Sequence, residues 1–377
     1  MFTSPQFKES MHRLFTKKMI SLTKTKILFL LAIGLQVLLF ASCKHDDLAV
    51  PLPNENIRPA GDFVKNNYEM KLFYMALKKT GYADKLNETG PFTVLAPTDA
   101  AFNAIGINNE TDFDKMDAAY LKEIIGYHIL PRRLRVGDIP TNGIDVRYAT
   151  LEGAELYASN ASFNRNGGDV DELYFSGAEA SRKDVVLANG TLHVLSNVMK
   201  PNLSVTIQQW LSAHKEYSVF AAGLKKFGLW DQLESPGTFT IYAPDNAALE
   251  MVGITDASLA TMDAGKYLGN LLFGAYILYD RHFFVSDAQV FSLIASNGTF
   301  RYPLKGDSHY VSFGGSKAYP SFNLIYGLSL YAGGSVNDPP ISGATGNLTA
   351  KNDNLCSNGL IHHLVEGLVT PELAIKK

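Results

Sequence analysis

The histidines are the first residues to test for chemistry. His128 follows Tyr127 and precedes Ile129 and Leu130, an apolar setting that suits a hydrogen-bonded core imidazole. His193 and His362 lie in runs rich in branched residues and take the same structural reading. His362 and His363 are adjacent, but neighbours on a strand face opposite sides, so they make no metal pair. The chain has no HExxH or CxxC spacing, no GxSxG elbow and no phosphate loop. A Ser-His-Asp triad drawn from distant positions leaves no signature in one sequence. Asn164, Asn166, Asp169, Asp171 and Glu172 offer oxygen ligands for calcium. Their order does not match an EF-hand loop, and a hairpin turn at Asn166-Gly167-Gly168 accounts for them more simply. No catalytic residue, metal or cofactor is assigned, and the chain is read as non-enzymatic.

The two cysteines have different settings. Lys17, Lys18, Lys24 and Lys26 precede an apolar stretch, Ile27 to Phe40, which is followed by Ala41, Ser42 and Cys43. The stretch is shorter than the roughly 20 residues of a membrane span and reads as a targeting signal over residues 1–43, starting at Met1, Met11 or Met19. Phe40-Ala41-Ser42-Cys43 resembles the lipobox of bacterial lipoproteins, with Phe40 where Leu is usual. That resemblance implies cleavage before Cys43 and a diacylglyceryl group on its thiol. A plain secretory signal and an uncleaved anchor are the alternatives. Lys44-His45-Asp46-Asp47 is similar to the export signal of Bacteroidetes lipoproteins, which implies the outer face of the outer membrane. The alternative is a solvated linker, and residues 44–58 read as an extended tether. With Cys43 lipidated, Cys356 has no intramolecular partner and reads as a buried small hydrophobe.

Charge removes one class of partner. Residues 44–377 keep 28 of the 34 Lys and Arg and 36 of the 37 Asp and Glu, a net charge of −8. No basic run lies beyond the leader, so nucleic acid is rejected.

The elements that position these residues recur along the chain. Ala76 to Gly81 (ALKKTG) returns as Gly223 to Gly228 (GLKKFG), and Phe92 to Pro97 (FTVLAP) as Phe239 to Pro244 (FTIYAP). Gly126 to Leu130 (GYHIL) meets Gly274 to Leu278 (GAYIL), and Asn189 to His193 (NGTLH) meets Asn358 to His362 (NGLIH). Four matches in one order indicate a duplicated domain of about 150 residues. Met70, Phe73, Tyr74 and Leu77 fall on one helix face, as do Tyr217, Phe220, Ala221 and Leu224. Gly81 and Gly228 stand where left-handed caps close those helices. Phe92–Leu95 and Phe239–Tyr242 read as buried strands, and Thr98 or Asp99 as the cap of a helix through Phe102. Trp210 and Trp230 read as core residues.

FTVLAPTDAAF (92–102), Tyr127-His128 and NGTLHVLSNVMKP (189–201) resemble, in order, the motifs of fasciclin domains. The first copy spans residues 59–202 and a weaker one residues 204–373. The resemblance implies an α+β fold, each domain a compact β-sandwich or wedge with packed helices. It assigns structural parts to Thr98, Asp99, Tyr127, His128, Asn189, Gly190 and His193. It also implies a non-catalytic binding or adhesion role, with the membrane engaged through the lipid and a protein or glycan as ligand. An accessory lipoprotein of an outer-membrane polysaccharide-uptake complex, partnered by other outer-membrane proteins, is the second reading.

The copies differ in two informative ways. Asp99 corresponds to Asn246 and His128 to Tyr276. Joint replacement suggests that Asp99 and His128 hydrogen-bond to each other, since losing one partner of a buried pair costs more than losing both. The second copy also carries about 21 extra residues, expected within 319–355. Tyr319, Tyr326 and Tyr331 there would form a binding surface for sugar rings or a protein, or else pack as ordinary strand residues.

Overall fold

The computed structural model describes residues 57–165, 168–294, 300–318, 323–335, 337–347, 349 and 351–377. The leader with Cys43, the tether to Asn56, the turn residues Asn166 and Gly167, and Tyr319 lie outside the described residues. Residues 57–377 form one compact unit.

In the first half, β1 (Phe92–Pro97) pairs parallel with β7 (Gly190–Leu195), Phe92 opposite Gly190, and antiparallel with β2 (Ile129–Leu130). All six residues of β1 and of β7 are buried. A parallel pair covered on both faces needs nearly continuous apolar runs, which FTVLAP and GTLHVL supply. The sheet continues through β6 (Ala178–Leu187), β5 (Gly168–Phe175), β4 (Glu155–Arg165) and β3 (Gly143–Ala149). The register of β6 shifts between Ala180 and Arg182 and again before Val185. Such irregularities bend a strand, and this one serves both ends of the sheet. Helix Lys71–Thr80 covers β1 with Leu72, Phe73, Ala76 and Leu77, and ends on Gly81 at φ 79°.

The second half repeats the order with one break. β9 (Phe239–Pro244) lies between β10 (Ile277–Tyr279) and β16 (Gly359–Leu364), again antiparallel on one side and parallel on the other. The strand equivalent to β6 is interrupted. One piece, β14 (Ser342–Asn347), joins β11 (Phe300–Pro303), β12 (Tyr310–Ala318) and β13 (Asn323–Tyr331). The other, β15 (Asn354–Cys356), stays with β16. The junction between the halves is not a free linker: β8 (Pro201–Asn202) pairs with Leu355 and Cys356 of β15.

The extra residues of the second half fall in three places, one of them outside 319–355. A ten-residue helix, Val285–Ile294, stands where the first half has only the turn Val136–Asp138. The β13–β14 connection and the β14–β15 break hold the others. Helix Val285–Ile294 is a wedge between the halves. Val285 and Ala288 join the second core, while Val290 packs with Ala161 and Tyr174 of the first half.

Candidate functional site

The two halves share one set of side-chain to main-chain hydrogen bonds. Asn189 Oδ1 accepts from Ala60 N, and its Nδ2 donates to Leu86 O and Glu88 O at 2.8 and 2.7 Å. Asn358 does the same with Ile207 N, Leu233 O and Ser235 O. Thr93 Oγ1 donates to Arg132 O and accepts from Leu134 N, and Thr240 treats Arg281 O and Phe283 N alike. His193 Nε2 bonds Leu134 O at 2.9 Å, and His362 Nε2 bonds Phe283 O at 2.8 Å. In both rings Nδ1 faces a main-chain N–H, that of Asp184 and of Asp353. Nε2 therefore carries the proton and the imidazoles are neutral. Burial holds both below the ordinary histidine range. Asp184 and Asp353, both left-handed (φ 56° and 55°), accept from Val136 N and Val285 N.

Thr98 caps helix Asp99–Ala104 through Ala101 N. Asp99 and His128 are not a pair, contrary to expectation. Asp99 Oδ1 accepts from Leu72 N at 2.8 Å, capping helix Lys71–Thr80 from outside. Asn246 Oδ1 accepts from Val219 N at 3.0 Å in the same way. His128 Nδ1 bonds Ile124 O and its Nε2 accepts from Met199 N at 3.2 Å. Tyr276 Oη accepts from Leu368 N, the equivalent amide, at 2.7 Å. Each substitution kept an acceptor for the same amide, so the two changes are independent. Burial pulls His128 down to about 4, which suits an acceptor and not a general base at neutral pH.

Asp99→Asn is accordingly expected to lower stability by less than about 1 kcal/mol, and Asp99→Ala by about 1–2 kcal/mol. In a denaturant double-mutant cycle, Asp99→Asn and His128→Tyr should couple by less than about 0.5 kcal/mol. Coupling above about 1 kcal/mol would contradict this assignment.

The remaining residues are also occupied. Tyr127 Oη donates to Glu155 O and contacts Ser176 Oγ at 2.8 Å. Gly190 meets Phe92 too closely for any side chain, a Cβ there lying 2.0 Å from Phe92 O. His363 Nδ1 meets Tyr217 Oη at 3.0 Å, on the face opposite His362. Trp230 is buried under Lys225, and Trp210 is half-buried against His214. Burial pushes the Cys356 thiol up to about 12, which keeps it protonated and inert. Tyr326 and Tyr331 do not form an exposed surface. They are 3% and 7% exposed, on opposite faces of their strand, Tyr326 toward the core and Tyr331 covered by Arg301. Tyr326 donates to His363 O and accepts from Asn352 Nδ2, and Tyr331 lies under the Arg301 guanidinium at 3.7 Å. Among the described residues no cluster of metal-ligating side chains occurs.

The contact between the halves is the part that sequence reasoning missed. Asp287 on the wedge helix is 1% exposed. Its Oδ2 accepts from Phe284 N at 2.8 Å, and the Ser159 hydroxyl of the first half also faces the carboxyl. Burial raises its pKa to about 7, with Asp353 adding to the rise. Elsewhere on the contact, Lys317 bridges to Glu179 at 2.9 Å and Glu172 at 3.3 Å between the halves. A cavity of about 360 Å³ opens there.

Comparison with known proteins bears on this frame. Residues 68–201, which contain Asp99, His128, Asn189 and His193, match the model of the fasciclin domain. Over that segment the chain is similar to fasciclin domains. Human periostin is 25% identical over 190 residues, which is 50% of this chain and 21% of periostin. Pig transforming growth factor-beta-induced protein ig-h3 is 30% identical over 142 residues, 37% of this chain and 19% of that protein. The cell surface glycolipoprotein MPB83 of Mycobacterium bovis is 32% identical over 118 residues, 31% of this chain and 47% of that protein. The chain thus spans less than half the length of these relatives. The solved FAS1 domain pair of the insect cell adhesion molecule fasciclin I has 19% identity and a TM-score of 0.36, covering 81% of this chain and 99% of that one. Fasciclin domains are a non-catalytic adhesion fold, in line with the absorption of every candidate histidine into packing.

Proposed function

We propose that this chain is a cell-envelope adhesion protein that displays two fasciclin modules, residues 59–202 and 204–373, from a lipid on Cys43 in the outer membrane. The observation that carries the second module is the repeated hydrogen-bond frame. Asn358, Thr240, His362, Asn246 and Tyr276 bond the counterparts of the amides and carbonyls bonded by Asn189, Thr93, His193, Asp99 and His128. A sequence that keeps these contacts while changing the side chains keeps the module. The fasciclin match supports the adhesive role, and the lipobox-like Cys43 supports the anchor, in keeping with the word glycolipoprotein in the name of MPB83. Paired strand β8–β15 and the wedge helix hold the modules together as one display unit.

Two measurements test this. Cells expressing the full chain are labelled with palmitate and treated with protease from outside. The expected result is a labelled, protease-accessible protein, with the label lost in Cys43→Ser. Beads coated with the full chain are then tested on panels of matrix proteins and glycans, and retention on at least one is expected. An unlabelled chain would overturn the anchor, and absence of retention throughout would overturn the adhesive role.

A further inference from the structure

The cavity between the halves is walled on one side by first-half residues at and just after the end of the first motif, Ala101, Ala104 and Ile105, and by Asn197–Lys200 of the second. On the other side stand Lys317, Asn352 and Asp353 of the second half. Its volume lies within the range of small-molecule sites, which occur preferentially where domains meet. The charges in its wall are balanced, with Lys200 and Lys317 against Glu179 and Asp353. Lys317 is already bridged to Glu172 and Glu179, and Lys200 Nζ donates to Asn352 O at 3.1 Å. Asp353 Oδ1 accepts from Val285 N, while Oδ2 lies beside Gly177, another lining residue. An anionic ligand would have to compete with the carboxylates for the lysines. A cationic one would have to compete with the lysines for the carboxylates. A hydroxyl group avoids both conflicts, because it donates to a carboxylate and accepts from an ammonium or amide at once. Ala104, Ile105 and Met199 offer apolar surface for the C–H face of a ring.

We propose that this cavity binds a neutral, polyhydroxylated ligand of mono- or disaccharide size. The site joins both halves, so it exists only when the wedge helix and β8 hold them together. It goes beyond the adhesive reading and does not depend on it.

The test uses the full chain in detergent micelles. Glucose, galactose, N-acetylglucosamine and maltose are the neutral probes, and phosphate, glutamate and spermidine the charged ones. Binding is read by saturation-transfer NMR and calorimetry up to about 10 mM, which detects even millimolar Kd. At least one neutral sugar is expected to bind. Ala104→Trp, at an exposed lining position, and Asn197→Ala should each weaken it about tenfold or more with the melting temperature unchanged. The inference is overturned if no neutral sugar binds, if only a charged probe binds, or if both variants bind as the parent does. Bead adhesion is measured on the same preparations. Adhesion without sugar binding overturns this inference alone, and sugar binding without adhesion supports it while overturning the adhesive role alone.

Discussion

Gly190→Ala is expected to remove about 4 kcal/mol or more of stability, or to prevent folding outright. Gly190 stands opposite Phe92 in the parallel β1–β7 pair. A Cβ on it would lie 2.0 Å from Phe92 O, and the obstacle is main chain, not a side chain that can swing away. The two strands would have to part at the centre of the first half, where the neighbouring Asn189 also ties the N-terminal helix to the sheet. Gly359 stands in the same relation to Phe239 O at 2.0 Å and adds a φ of 152°, so Gly359→Ala should fail similarly. Gly137→Ala is the control, because nothing lies within 4 Å of a Cβ there. Soluble yield and thermal melting measure the effect. A Gly190→Ala chain melting within about 2 °C of the parent would refute the close approach.

Asp287→Asn is expected to change the pH dependence of stability. The carboxyl is buried between the halves, and its pKa rises to about 7 from an ordinary value of 3.8. The folded chain therefore binds this proton more tightly than the unfolded chain does. The stability it confers is full below the unfolded value and is lost as pH rises toward 7. Roughly three units correspond to about 4 kcal/mol. His128 and His282, each lowered to about 4 by burial, act in the opposite sense as pH falls below the ordinary histidine range. The parent curve alone mixes these contributions, but the difference between parent and variant isolates Asp287. Near pH 4.5 the two should be close in stability. At pH 8 the variant should be the more stable, with the gap between them shifted by about 3 kcal/mol relative to pH 4.5. Urea denaturation at the two pH values checks this, and an equal difference at both would contradict it.

Much of the frame was legible because it depends on local rules. The helix faces built on Phe73 and Leu77, the left-handed Gly81 and the buried run FTVLAP each declare themselves through spacing or composition. The wedge helix did not. VSDAQVFSLI lacks a one-sided apolar stripe because both its faces are covered, one by each half, and periodicity detects only one-sided burial. The break between β14 and β15 has no local sign either, since it is set by where the β6 equivalent must change sheets. The supposed Asp99–His128 pair shows a different failing. Two positions that change together read as partners. Each had exchanged one acceptor for another toward its own amide, Leu72 or Val219 in one case and Met199 or Leu368 in the other. The tyrosines of the second half were legible as strand residues, but their facing was not. Tyr326 points at His363 O and Asn352, contacts between segments far apart in sequence.

Amide hydrogen exchange on the full chain tests most directly whether one frame is built twice. Ala60 and Ile207, Leu134 and Phe283, Leu72 and Val219, and Met199 and Leu368 form four pairs of amides, each pair bonded by equivalent side chains. Both members of every pair should be protected. Asn358→Ala should release Ile207, as Asn189→Ala releases Ala60. Protection in the first half with free exchange at Ile207, Phe283, Val219 and Leu368 would show that the second half is not a copy of the first.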